Sequence, residues 1–192
     1  MKPHVIVIAG PNGAGKSTTA PALLRDLMGV AEYVNADLIA QGLSAFDTAS
    51  VAFQAGRVML TRLKQLAAQR RNFAFETTLA TRSYLPLLAS LQATGYVVAI
   101  IFLWLPTPEV AVARVAERVR LGGHDVPEPV VHRRYHRGLE NFFHRYRAVA
   151  DQWWLIDNSD PEGAKLIASG AKNQADDIAN PETWSELMER FQ

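Results

Sequence analysis

The sequence predicts an α/β fold of three layers, with a mainly parallel five-stranded sheet between helices and a small C-terminal hairpin and helix. Three observations carry this. Apolar runs alternate with segments of helical periodicity along most of the chain, the pattern of strands joined by crossover helices. The first run, Val5–Ala9, leads directly into the glycine-rich stretch Gly10-Pro-Asn-Gly-Ala-Gly-Lys-Ser17. Composition is that of an ordinary globular chain: 192 residues, 48% hydrophobic and 20% charged, enough for one full core over residues 1–192.

The elements follow in order. Strands are expected at His4–Ala9, Glu32–Asn35, Asn72–Glu76, Tyr96–Leu103 and Trp153–Asp157. The apolar run from Tyr96 to Leu105 is too short to span a bilayer and suits a central strand. Residues 49–70 place Val51, Ala55, Val58, Leu63 and Leu66 near one helical face. Thr107-Pro108-Glu109 is a helix start, with a capping hydroxyl, proline in the first turn and an acid beside it, and Gly122-Gly123 is its stop. A further helix from about Pro127 to Ala150 carries Val131, Tyr135, Leu139, Phe142, Tyr146 and Val149 on one stripe. Lys165–Ser169 and Asp177–Ala179 read as a hairpin, and Glu182–Arg190 as a terminal helix.

Composition narrows the function. A net charge of +1 supplies no bulk attraction to nucleic acid or to a membrane surface, so neither is expected as a partner. No cysteine is present, which excludes disulfides and cysteine-based zinc sites. His132 and His136 stand four apart on a helix, yet no H-E-x-x-H motif accompanies them and the nearby arginines would repel a cation. The N-terminus runs straight into the first strand, from which no signal peptide and a cytoplasmic location are expected.

Residues 10–17 fit G-x-x-x-x-G-K-[ST] between a strand and a helix, the context that makes this pattern a phosphate-binding loop. Backbone N–H groups from Pro11-Asn12-Gly13-Ala14-Gly15 to Thr18, Pro11 itself having none, and the helix start would cradle the phosphates of ATP or GTP. Lys16 can reach the β- and γ-phosphates, and Ser17 can hold Mg²⁺. Two further places follow strand ends, where open α/β sheets bind ligands. Asp37, after the second strand, can take a proton from an acceptor hydroxyl or hold a water on the metal; its alternative reading is a helix N-cap. Glu76, with Thr77 and Thr78, suits hydrogen bonding to a sugar or polyol, or metal binding through water; the two threonines read otherwise as caps.

Residues 114–147 hold eight arginines and four acids. Arg114 and Arg118 share one helical face just before the loop Leu121-Gly-Gly-His-Asp-Val-Pro127. The glycines there suggest a mobile lid, over about 114–135, that carries arginines and His124 toward the γ-phosphate. Arg137, Arg145 and Arg147 read as a solvated face. Trp153-Trp154 reads as core, and Asn158-Ser159 lies where such folds hold adenine.

Gly-Pro-Asn-Gly-Ala-Gly-Lys-Ser-Thr also resembles the loop of ABC-type ATPases, but no LSGGQ-like signature and no strand ending in Asp-Glu accompany it. The wider set resembles the small stand-alone branch of the zeta-toxin family of P-loop kinases. It comprises the loop, Val34-Asn-Ala-Asp37, Glu76-Thr-Thr-Leu79, Arg114 through Pro127, and Arg133-Arg134-Tyr135. The resemblance implies a nucleotide-kinase-like core using ATP or GTP with Mg²⁺, and transfer of phosphate to a small-molecule hydroxyl. UDP-N-acetylglucosamine is the family's known acceptor, and a small antitoxin-like protein the partner it suggests. It casts Asp37 as general base, Glu76 and Thr78 as substrate contacts, and Arg118 as a lid arginine on the phosphates; Asn35 and Thr77, beside them in the same motifs, are further candidates for the substrate site. His124, Arg133 and Arg134 are the alternatives for a second lid contact. The toxins' arginine shortly after the acid–x–threonine motif is Ala80 here, with Arg82 two residues on. Two other classes share the loop and the arginines: a nucleotide-dependent switch acting through a protein, and a nucleic-acid-end kinase.

Overall fold

Five parallel strands alternate with helices, and an antiparallel hairpin extends their sheet. In this computed structural model, which describes residues 2–27 and 29–191, the strands are β1 (His4–Ala9), β2 (Glu32–Val34), β3 (Phe73–Thr77), β4 (Val97–Trp104), β5 (Gln152–Asp157), β6 (Lys165–Ala171) and β7 (Asp177–Ile178). They lie in the order β2-β3-β1-β4-β5-β6-β7. The first five are parallel; β6 and β7 join antiparallel, Trp154 opposite Ser169 and Ala168 opposite Ile178. The expected hairpin therefore extends the main sheet. β4, and β1 after its exposed His4, are apolar throughout and almost wholly buried, as central parallel strands covered on both faces are.

The helices are α1 (Lys16–Pro21), continued by a π-helical turn to Leu27, then α2 (Ala36–Leu43), α3 (Ala52–Ala68), α4 (Leu85–Ala93), α5 (Pro108–Arg120), α6 (Glu128–Asn141), α7 (Arg147–Val149) and α8 (Pro181–Phe191). In α3, Ala55, Met59, Leu63 and Leu66 repeat at helical spacing and are buried. The start of α5 is built as its residues dictate: the Thr107 hydroxyl accepts from the Val110 N–H, Pro108 follows and Glu109 lies in the first turn. The long helix expected over 127–150 is interrupted. A π-helical turn over Phe142–Tyr146 separates α6 from α7. The wider turn shifts the phase of the buried face while keeping Phe142 and Tyr146 inside.

Past that turn Arg147 is half-buried against aromatic rings instead of lying on a solvated face. Its guanidinium lies 4.4 Å from the ring centre of Trp153 and 5.1 Å from that of Trp184, and donates to Asp176 at 2.7 Å. Trp153 and Trp184 stack nearly parallel. The cluster pins α8 and the β6–β7 connection to the end of the sheet. No described helix is long and apolar enough to cross a membrane.

Candidate active site

The sheet order brings three strand ends together. β3 lies between β2 and β1, so the segments after β1, β2 and β3 converge at one carboxyl edge, where parallel sheets hold ligands. The loop after β1 turns through Gly13 and Gly15 at φ 80° and 79°, the left-handed region. A Cβ on Gly15 would stand 2.7 Å from Asn158 Nδ2. That amide donates to the Ala14 carbonyl at 2.8 Å. Arg114 in turn donates to the carbonyls of Asn158 and Ser159, each at 2.7 Å. Arg114 and Asn158 thus brace the loop from the β5 side.

Lys16 is buried, donating to the Pro11 carbonyl at 2.8 Å and standing 3.7 Å from Glu76 Oε1. Burial pulls its pKa below the ordinary value; Arg118 and Arg134 push the same way, Glu76 and Asp37 against it. Such a cation gains most from an anion at its head group. Ser17 and Thr18, next in the chain, are exposed.

Glu76 is the hub of the site. Its Oε2 accepts from Ser17 Oγ at 2.8 Å, from Asn35 Nδ2 at 2.8 Å and from the Tyr33 hydroxyl. Burial, then the Glu76 charge, raises the Tyr33 pKa, so its phenol remains a donor. Ser17 gives its proton to Glu76 and accepts from Asn35 Nδ2 at 3.4 Å, which leaves one lone pair of its oxygen free on the exposed side. Asn35 does two jobs. Its Oδ1 accepts from the N–H groups of Asp37 and Leu38 while its Nδ2 reaches Glu76. The cap of α2 is therefore Asn35, and Asp37 sits in the first turn with an exposed side chain.

These groups face a cleft of about 240 Å³ whose lining includes Asn12, Lys16, Asp37, Glu76, Thr78 and Arg134. The Thr77 and Thr78 hydroxyls accept from Leu79 and Ala80 N–H, local turns rather than caps of α4, which starts at Leu85. Gly138 of α6 packs on this turn: a Cβ there would lie 2.4 Å from the Thr78 carbonyl. Ala80 also lines the cleft, whereas Arg82 donates to Asn141 Oδ1 at 3.2 Å. A larger groove of about 990 Å³ runs along the β2 edge against α3 and contains none of the loop residues, so volume alone would not find this site.

Above the cleft, Arg118 Nη2 donates to the His124 carbonyl at 2.6 Å, and its Nε is buried with no partner among the described residues. The His124 ring meets the Thr48 hydroxyl at 2.7 Å, tying the 121–127 loop to the segment before α3. Arg134 alone among the alternatives for a second contact reaches the phosphate loop, at Asn12 Oδ1, 3.3 Å. Two contributors have little or no signal in the sequence. Asn158 is a weak cue to adenine, and its bond to Ala14 is invisible there. Tyr33 reads as an ordinary strand aromatic, since its reach to Glu76 depends on strand order.

The sequence profile of the family described as Zeta toxin matches residues 1–161. An uncharacterized protein of Haemophilus influenzae is 27% identical over 135 residues, 70% of this chain and 94% of that one. Among solved structures, AvrRxo1-ORF1, crystallised with its ORF2 partner and ATP, superimposes with a TM-score of 0.77 at 19% identity. The match covers 97% of this chain but 63% of that one, so the chain spans under two thirds of that protein's length. The PezAT toxin–antitoxin system of Streptococcus pneumoniae matches with a TM-score of 0.70 at 17% identity, over 97% of this chain and 77% of that one. A gluconokinase of Sinorhizobium meliloti matches at 0.54 and 19%, over 83% and 85%. At such identities these three likenesses establish a shared P-loop kinase fold.

Proposed function

The chain belongs to the zeta toxin family, and we propose that it is a nucleotide-dependent kinase that transfers the γ-phosphate of ATP or GTP to a hydroxyl of a small molecule, with a UDP-sugar such as UDP-N-acetylglucosamine as the acceptor. The observation that carries this reading is the single cleft in which the Lys16 cation and the Asp37 carboxylate stand beside the Thr78 turn. A phosphoryl donor and a hydroxyl acceptor need that combination side by side.

In this mechanism the loop N–H groups and Lys16 hold the β- and γ-phosphates. Ser17 would hold Mg²⁺, with Glu76 behind it; the fit rests on the Ser17 hydroxyl donating to Glu76 while its oxygen keeps one lone pair free beside the one that meets Asn35. When bound, the ion neutralises charge shared by the β- and γ-oxygens. Asn35 and Glu76 shape the floor, and Thr77 and Thr78 orient the acceptor. Asp37 accepts the acceptor hydroxyl's proton as that oxygen bonds to the γ-phosphorus and the bond to the bridging oxygen breaks, releasing the nucleoside diphosphate. Arg118 and Arg134 balance charge on the moving phosphoryl from a lid over residues 114–135, His124 anchors that lid, and Arg114 holds the loop from behind. We further propose that residues 1–192 act as one catalytic domain in the cytoplasm, restrained by a small antitoxin-like protein. AvrRxo1-ORF1 and the PezAT toxin, both under 20% identical, were each solved from a two-component system.

The test is a mass-spectrometric scan of MgATP and MgGTP reactions against UDP-sugars, nucleosides and short oligonucleotides. The expected result is one added phosphate on a UDP-sugar, with none in Lys16→Ala. Nucleoside diphosphate formed with no phosphorylated acceptor would favour a regulatory ATPase instead, and a phosphorylated oligonucleotide a nucleic-acid-end kinase.

A further inference from the structure

Three donors crowd one oxygen of Glu76, and they come from three neighbouring segments: Ser17 after β1, Asn35 after β2, and Tyr33 within β2. An sp² carboxylate oxygen has two in-plane lone pairs, so this crowding pins the carboxylate in one orientation. Ser17 needs that orientation. If Glu76 rotates, the serine proton loses its acceptor and can turn toward the side on which a cation would bind. Asn35 already has a second task as the cap of α2. Tyr33 approaches from the outer side: its residue forms part of the wall of the β2-edge groove, while its hydroxyl reaches inward to Glu76. The α2 cap does not require that hydroxyl, which meets Glu76 and lies close enough to Ser17 and Asn35 to feel both.

We infer that Tyr33 is a positioning residue for metal-assisted nucleotide binding: its hydroxyl locks Glu76 so that Ser17 keeps its proton on Glu76 and a lone pair toward Mg²⁺. The inference rests on the kinase reading above. Tyr33 is absent from the lining of the cleft, and its one side-chain hydrogen bond among the described residues is to Glu76, so its effect on the metal side is taken to pass through that carboxylate.

The experiment is calorimetric titration of ADP into the whole chain, in Mg²⁺ and in EDTA, for wild type, Tyr33→Phe, Glu76→Ala and the double variant, with melting temperatures beside them. Wild type is expected to bind ADP more tightly in Mg²⁺. Tyr33→Phe is expected to lose about tenfold of that gain, the scale of one hydrogen bond to a charged acceptor. Its affinity in EDTA and its melting temperature should stay unchanged. In the Glu76→Ala background the same substitution should have no further effect, because residues acting through one contact do not add. An unchanged Mg²⁺ gain in Tyr33→Phe overturns the inference and leaves the kinase reading intact. So do equal losses in Mg²⁺ and EDTA, additive losses in the double variant, or a drop in melting temperature that accompanies the lost affinity. Wild type with no Mg²⁺ gain overturns both the inference and the metal-dependent part of the reading beneath it.

Discussion

Two desolvated cations, the buried Lys16 and the half-buried Arg147, divide this molecule into a part that waits for a ligand and a part that does not. Burial lowers the pKa of each. Arg147 meets Asp176 at 2.7 Å and lies among the rings of Phe143, Trp153 and Trp184, so the fold itself supplies its counter-charge and its π-faces. Lys16 has a loop carbonyl at 2.8 Å, and its nearest carboxylate stands at 3.7 Å with its other oxygen shared by three donors. A cation whose best partner belongs to the protein is structural. One left with a distant, already engaged carboxylate is poised for an incoming anion.

The contrast is sharpened by substitution, from the largest effect to the smallest. Lys16→Ala should cut phosphoryl transfer by roughly 10³-fold, the scale of losing a pre-organised charge on the reacting group, with little loss in melting temperature. Steady-state turnover beside a thermal melt checks this, and a stability loss equal to that of Arg147→Ala would erase the distinction. Asp37→Asn should slow transfer by roughly 10²- to 10³-fold while nucleotide affinity holds; single-turnover kinetics with direct binding separates the two, and full transfer would retire Asp37 as base. Arg147→Ala should do the reverse, costing about 2 kcal/mol in urea unfolding with turnover intact below the transition. That figure is below the cost of a fully buried pair because Asp176 is about a third exposed. Gly138→Ala forces a methyl toward the Thr78 carbonyl and should cost about 1 kcal/mol. It should also raise the acceptor KM several-fold without altering nucleotide affinity, since that turn borders the acceptor cleft.

Signals confined to neighbouring residues are legible in the sequence. The run His4–Ala9, the Thr107-Pro108 start of α5 and the hairpin are where periodicity and turn chemistry predict them. The Asn35 boundary is off by one because its side chain caps α2, ending β2 at Val34. What the sequence lacks is strand order. Nothing in residues 32–35 or 73–77 states that β3 lies between β2 and β1. The contact from Ser17 to Glu76, 59 residues apart, and the one from Tyr33 therefore emerge only with the sheet. Arg147 defeats a solvated-face reading for another reason: a π turn adds a residue and rotates the following side chains by about 100° relative to an unbroken helix.

The most direct test of the central claim is the shift in melting temperature produced by saturating MgATP in wild type, Lys16→Ala and Arg147→Ala. A ligand that binds only the folded state stabilises it by RT ln(1 + [L]/Kd), so the melting temperature rises with the logarithm of ligand concentration over its dissociation constant. The account predicts a similar rise in wild type and Arg147→Ala, from different starting points, and almost none in Lys16→Ala. An undiminished rise in Lys16→Ala, or no rise in wild type, would contradict it.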